Sequence, residues 1–163
     1  MILFAYAGNM NVEKFKKTVP SAHNIGVAKL PGYSFVFNSA GEDESAKANV
    51  VKSFEQDAVV WGLLIELDDE ERSDFYDPMW SSVLKLEPAL CFDLNDNIYH
   101  AEVFVTQPHA IITHLLPYDW YHAKILKLAK DANLPATYIT QIALMPYKVD
   151  PDEIRRQRRL KNL

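Results

Sequence analysis

Residues 58–65, AVVWGLLI, form the longest uninterrupted apolar run and constrain this chain more than any other segment. A strand with one wet face alternates apolar and polar residues. A run without a polar member must be covered on both faces, so 59–65 reads as a central strand with further layers on either side. Eight residues fall far short of the ~20 needed to cross a bilayer. The start, MILFAYAG, also lacks a basic region followed by a long apolar stretch, so the expected setting is the cytoplasm. With 163 residues, 48% of them hydrophobic, the chain can bury roughly 70% of its unfolded surface in one core. Its single cysteine, Cys91, excludes an internal disulfide and falls in a β-rich run as a core thiol. Seventeen basic against 22 acidic residues give a net charge of −5, which attracts neither a phosphate backbone nor an anionic membrane.

Around the central run the pattern is strands first, helices late. Residues 2–6 are apolar and lead into Ala7-Gly8-Asn9 and then a short helical stretch from Asn11. The β-rich runs 25–30 and 33–37 flank Pro31-Gly32 and predict a hairpin. Residues 39–48, SAGEDESAKA, carry no apolar period and predict a mobile loop. Acidic residues from Asp68 favour a helix N-terminus, with Pro78 ending that helix. Runs 83–92 and 98–106 predict a second hairpin, in which Pro88 demands an edge or a bulge. From Asp119, Tyr121, Ile125, Leu128 and Ala132 share a helix face that excludes Lys124, Lys127 and Lys130, and a further helix covers 135–144. The fold class is therefore α+β: a mixed, largely antiparallel sheet curling towards a small barrel, with flanking helices. Residues 1–149 form the domain. Residues 150–163 form a basic C-terminal helix or tail, with Asp150 as N-cap and Pro151 at the first helical position. Solvated arginines at its end suit the helix dipole, and nucleic-acid binding is the rival use of that charge.

Small residues behind a buried strand let backbone N–H groups face an open site, so the loop Tyr6-Ala7-Gly8-Asn9-Met10 reads either as an ordinary turn or as a holder of a carboxylate or phosphate. No dinucleotide fingerprint or P-loop is present. The carboxylates Glu66, Asp68, Asp69, Glu70, Glu71, Asp74 and Asp77 read mainly as a wet face. Asp77 differs because it precedes Pro78-Met79-Trp80, where burial would raise its pKa towards that of a general base. The histidines at 23, 100, 109, 114 and 122 show no metal-ligand spacing, and the expected metal set is none.

Taken in order, these segments resemble the gamma-glutamylcyclotransferase family, within the AIG2-like superfamily. Residues 4–10, FAYAGNM, are similar to the family's FAYGSNM loop. Val19-Pro20-Ser21-Ala22 followed by Val27-Ala28-Lys29-Leu30 resembles its PSA…VARL stretch, and Asn38 fits the asparagine closing the next strand. Val60-Trp61-Gly62 resembles its VWG strand, and Leu134-Pro135-Ala136-Thr137-Tyr138 its LPxxY helix start. The resemblance implies release of 5-oxoproline and a free amine from a γ-glutamyl amine or peptide, without a cofactor. Its partner would be a small molecule with an amino-acid-like head, bound by Tyr6, Ala7, Gly8, Asn9, Met10 and Tyr138.

Two departures stand out. The loop reads YAGN for YGSN, and the family's catalytic glutamate falls on Met79, which cannot accept a proton. Asp77 is the nearest carboxylate and the expected substitute. The alternative is a catalytically impaired relative that binds a small molecule or acts as an interaction protein.

Overall fold

The computed structural model describes residues 1–75 and 82–163. Strand β5 (Val59–Glu66) is the apolar run, and it is central as expected, paired antiparallel on one side with β1 (Ile2–Ala5) and on the other with β2 (His23–Pro31). Strands β6 (Leu84–Asp93) and β7 (Ile98–Thr106) form the second predicted hairpin, Leu84 opposite Thr106 through Phe92 opposite Ile98. Its turn is held by the Asp93 carboxylate, which accepts from the N–H groups of Asn95 and Asn97 at 2.8 and 2.9 Å. Strand β6 meets β2 at Phe92 and Asp93, and β7 meets β1 in parallel at Leu3 and Phe4, closing a barrel in the order β1-β5-β2-β6-β7. Pro88 lies opposite Glu102, away from the β2 contact, on a stretch of edge where its missing N–H does no harm. Leu3, Leu30, Val60, Ile65, Cys91 and Val103 are fully buried at the centre.

Two expectations are corrected. Residues 25–37 do not make a hairpin. Gly32, at φ +75°, does reverse the chain, but β2 spends both edges on β5 and β6, and β3 (Tyr33–Ala40) pairs instead with β4 (Ala46–Lys52) in a second sheet. The expected mobile loop 39–48 is largely part of that sheet: Ser39 pairs with Lys47, and Ser45, Ala46 and Ala48 are buried. Small side chains let this strand pack closely without leaving an alternating signal. Buried Asn49 joins the two sheets, donating to Asn38 Oδ1 at 2.8 Å and accepting from the Thr106 N–H at 2.9 Å.

Helix α1 (Val12–Phe15) is capped by the Asn11 side chain, which accepts from Lys14 N–H at 3.0 Å. In the acidic segment the described residues hold a 3₁₀ turn at Asp69–Glu71 and α2 (Arg72–Phe75), and the expected end at Pro78 lies outside them. Helices α3 (Asp119–Asp131) and α4 (Ala136–Ala143) follow the predicted spans, α3 burying Trp120, His122, Ile125, Leu128 and Ala129. Helix α5 (Glu153–Lys161) starts two residues later than expected. Asp152 is its N-cap, because the Asp150 carboxylate is taken by Trp120 Nε1 at 2.7 Å and by Arg155. Arg156 reaches Asp119 at 2.6 Å, so the tail is pinned to α3 by its first turn. No described helix is long and apolar enough to cross a membrane.

Candidate active site at the end of the first strand

The VWG segment explains how β1 arrives at its loop. A Cβ on Gly62 would lie 2.3 Å from the Ala5 carbonyl oxygen, so only glycine lets β5 pass this close to the last residue of β1. Beyond Ala5 the chain is anchored by Tyr6, buried, whose hydroxyl donates to the Phe104 carbonyl at 2.8 Å. Tyr6 therefore acts as a peg under the loop. Its ring meets Phe35 edge-on at 6.2 Å, and Phe35 meets Tyr138 at 6.5 Å, which gives the loop an aromatic floor. Burial, then the neighbouring phenols of Tyr121 and Tyr138, raises the Tyr6 phenol far above its ordinary value, so it stays a neutral donor.

Ala7 turns the corner (φ −140°, ψ −128°) and Gly8–Met10 form one 3₁₀ turn, with Met10 N–H donating to the Ala7 carbonyl at 3.0 Å. Met10 plunges into the core while Ala7, Gly8 and Asn9 remain half-buried. Among the described residues no protein group accepts from the N–H of Ala7, Gly8 or Asn9. Helix α3 packs across this turn and brings Lys124 to it: a methyl group built on Gly8 would sit 3.7 Å from Lys124 Nζ and touch nothing else among the described residues.

Tyr138 is buried at the floor, with its hydroxyl against the Trp61 backbone and its phenol raised mainly by burial. Tyr6, Ala7, Gly8, Asn9 and Tyr138 are thus brought to one place. Met10 belongs to the core beneath them. Asp77 and Met79 lie outside the described residues. Of the other carboxylates, Glu66, Asp68, Asp69, Glu70 and Asp74 are exposed as expected, Asp69 holding the N-terminal ammonium at 2.6 Å, and Glu71 accepts from the Ser21 hydroxyl at 2.6 Å. Buried His122 contacts the Ile142 carbonyl through Nε2 at 2.8 Å, and burial pushes the Cys91 thiol up to about 12. Two cavities lie elsewhere, one of about 230 Å³ between β4 and the β6–β7 hairpin and one of about 450 Å³ between α3 and α5.

This strand order, with its closed barrel, second sheet and late helices, matches a solved gamma-glutamyl cyclotransferase over 100% of this chain and 99% of that one, at TM-score 0.76 and 18% identity. The chain has the gamma-glutamyl cyclotransferase fold. Similar structures on this fold include an uncharacterized protein from Homo sapiens (TM-score 0.74, 19% identity, 94% of this chain and 95% of that one). Another is YkqA from Bacillus subtilis (TM-score 0.71, 16% identity, 90% of this chain), about 55% of whose length is covered. No protein-family model and no curated protein sequence matches the chain. The sequence pattern offers Tyr6–Met10 and Tyr138 as candidates but gives no signal for Lys124, which reaches Gly8 only once α3 is packed against the loop.

Proposed function

We propose that this protein is a gamma-glutamyl cyclotransferase acting on a small γ-glutamyl amine or peptide, which it converts to 5-oxoproline and a free amine. The observation that carries the reading is the loop of Ala7–Asn9, three successive N–H groups without an acceptor among the described residues, presented over an aromatic floor on this fold. In the reaction the substrate's own α-amine attacks its γ-carbonyl carbon, the five-membered lactam closes, and the C–N bond to the leaving amine breaks. Ring closure is intramolecular, so holding the chain folded supplies a high effective molarity and no cofactor is called for. The loop N–H groups hold the α-carboxylate. An ammonium is not nucleophilic, so a carboxylate must take the α-amine proton and return one to the leaving nitrogen; Asp77 is the residue we assign to this role. A lone thiol buried as deeply as Cys91 suits a reducing, cytoplasmic setting.

The test is 5-oxoproline release from a panel of γ-glutamyl amines and peptides by the wild type and Asp77→Asn. Release by the wild type, reduced at least 100-fold in kcat with KM nearly unchanged in the variant, supports both the activity and the role of Asp77. Equal rates remove Asp77 from the mechanism. Binding without release by the wild type on every substrate supports the alternative favoured by Met79 at the family's glutamate position, a small-molecule-binding protein.

A further inference from the structure

Lys124 is unlike its neighbours on α3. Lys127 is exposed and pairs with Asp131 at 2.6 Å, whereas Lys124 is half-buried against Gly8 and has no acidic partner among the described residues. Three more cations from three other elements face it: Lys14 of α1, Lys47 of β4 and Arg159 of α5. Lys47 is matched by Asp43, at 2.7 Å, and lies 4.8 Å from the centre of the Tyr121 ring. Arg159 sits over the Trp120 ring at 5.1 Å, and among the described residues neither it nor Lys14 pairs with a carboxylate. Among its described residues a chain of net charge −5 thus gathers an excess of positive charge at one loop. Burial, then Lys14, Arg159 and Lys47, lowers the Lys124 ammonium from its usual value.

We propose that Lys124 is the specificity-determining cation of the loop site, its ammonium and the N–H groups of Ala7–Asn9 together receiving the α-carboxylate of the substrate's glutamyl head. The inference rests on the cyclotransferase reading and deepens it by naming what selects the substrate. Glycine at position 8 fits the same role, since a side chain there would fill the space between the loop and the ammonium. The charge is held against its own cost: a cation removed from water without a partner destabilises the empty protein, and a bound carboxylate relieves it.

The experiment compares binding of 5-oxoproline and of its uncharged amide, 5-oxoprolinamide, to the full chain, followed by the backbone amide resonance of Gly8. In the wild type, 5-oxoproline shifts Gly8 and binds at least tenfold tighter than the amide. Lys124→Gln loses that preference, its 5-oxoproline affinity falling at least tenfold while its amide affinity holds; Lys124→Arg retains most of it, and thermal melts confirm that both variants fold. Wild-type binding of the two ligands with equal affinity overturns the proposal, as does an unshifted Gly8 or a Lys124→Gln variant that still prefers the acid. Turnover is measured separately. Lys124-dependent carboxylate binding without 5-oxoproline release sinks the enzymatic reading alone, and release undiminished by Lys124→Gln sinks the role of Lys124 alone.

Discussion

Two glycines near the loop do opposite jobs, and replacing each with alanine separates architecture from function. At Gly62 the new methyl would meet the Ala5 carbonyl oxygen at 2.3 Å and the Phe4 ring at 3.0 Å, all in the barrel wall. Neither neighbour can yield without shifting β1, so Gly62→Ala should cost about 3 kcal/mol of unfolding free energy in a urea titration. At Gly8 the methyl meets, among the described residues, only the flexible end of Lys124, at an ordinary contact distance. Gly8→Ala should therefore leave the urea midpoint within about 0.3 M of wild type, while 5-oxoproline affinity falls at least tenfold. A Gly8→Ala variant that unfolds early would show that this glycine serves the fold; one that binds normally would show that the loop face is not used.

Among the elements, α5 gives the sharpest case of a segment whose role the local sequence disguises. Its first turn is fastened by Asp150, which accepts from Arg155 at 2.5 and 2.7 Å, from Trp120 Nε1 at 2.7 Å and from Asp152 N–H at 2.9 Å. The Arg155 guanidinium, working against burial and helped by Asp152 and Trp120, holds the Asp150 carboxyl at about 2. Because the folded value lies below the ordinary one near 3.9, the ionised form contributes stability that is complete above about pH 4 and is lost as pH falls towards 2. Asp150→Asn should lower stability by about 2 kcal/mol at pH 7, and the gap in Tm between it and wild type should close between pH 4 and pH 2. A gap constant over that range would mean that the carboxylate's charge contributes nothing.

The sequence pattern Asp-Pro-Asp-Glu announces a helix start, and a start there is, but the choice between Asp150 and Asp152 as cap depends on Trp120, thirty residues away. The same limit explains the other misreadings. Pro31-Gly32 marks a reversal correctly, yet the partners of β2 are decided by β5 and β6. Ser45, Ala46, Ala48 and Asn49 are buried with mostly small side chains, which leave no alternation to read. The closed apolar run of β5 and the regular faces of α3 and α4 depend on local pattern and were legible. So was the loop at Tyr6–Asn9, whose small residues follow a buried strand. Lys124 was not: within α3 it is one of three lysines outside the apolar face, and only its position over Gly8 sets it apart.

Across the whole molecule, the barrel and the second sheet share one apolar core, to which the second sheet gives Phe35, Ala48 and Val50, and are joined by polar links as well, which makes their cooperativity testable. Asn49 is almost wholly buried and satisfies groups on both sides, Asn38 Oδ1 in the β3–β4 sheet and the Thr106 N–H at the end of β7. Main-chain bonds from Ala46 N–H to the Leu116 carbonyl and from Ile112 N–H to the Asn38 carbonyl tie the same sheet to the segment that leads into α3. Thr106 lies two residues beyond Phe104, whose carbonyl holds Tyr6, so the link reaches the floor of the candidate-site loop. Asn49→Ala would leave a buried donor, the Thr106 N–H, and a half-buried acceptor, Asn38 Oδ1, without their partner and open a small void, a loss of about 3 kcal/mol. If the two sheets fold as one unit, native-state hydrogen exchange should show the slowest amides of β3–β4 and of β5 opening with the same free energy, and both should fall together in the variant. A fall confined to β3–β4 would instead make the second sheet a separate, weaker unit leaning on a self-sufficient barrel, and the aromatic floor, which draws Phe35 from that sheet, would then loosen before the barrel does.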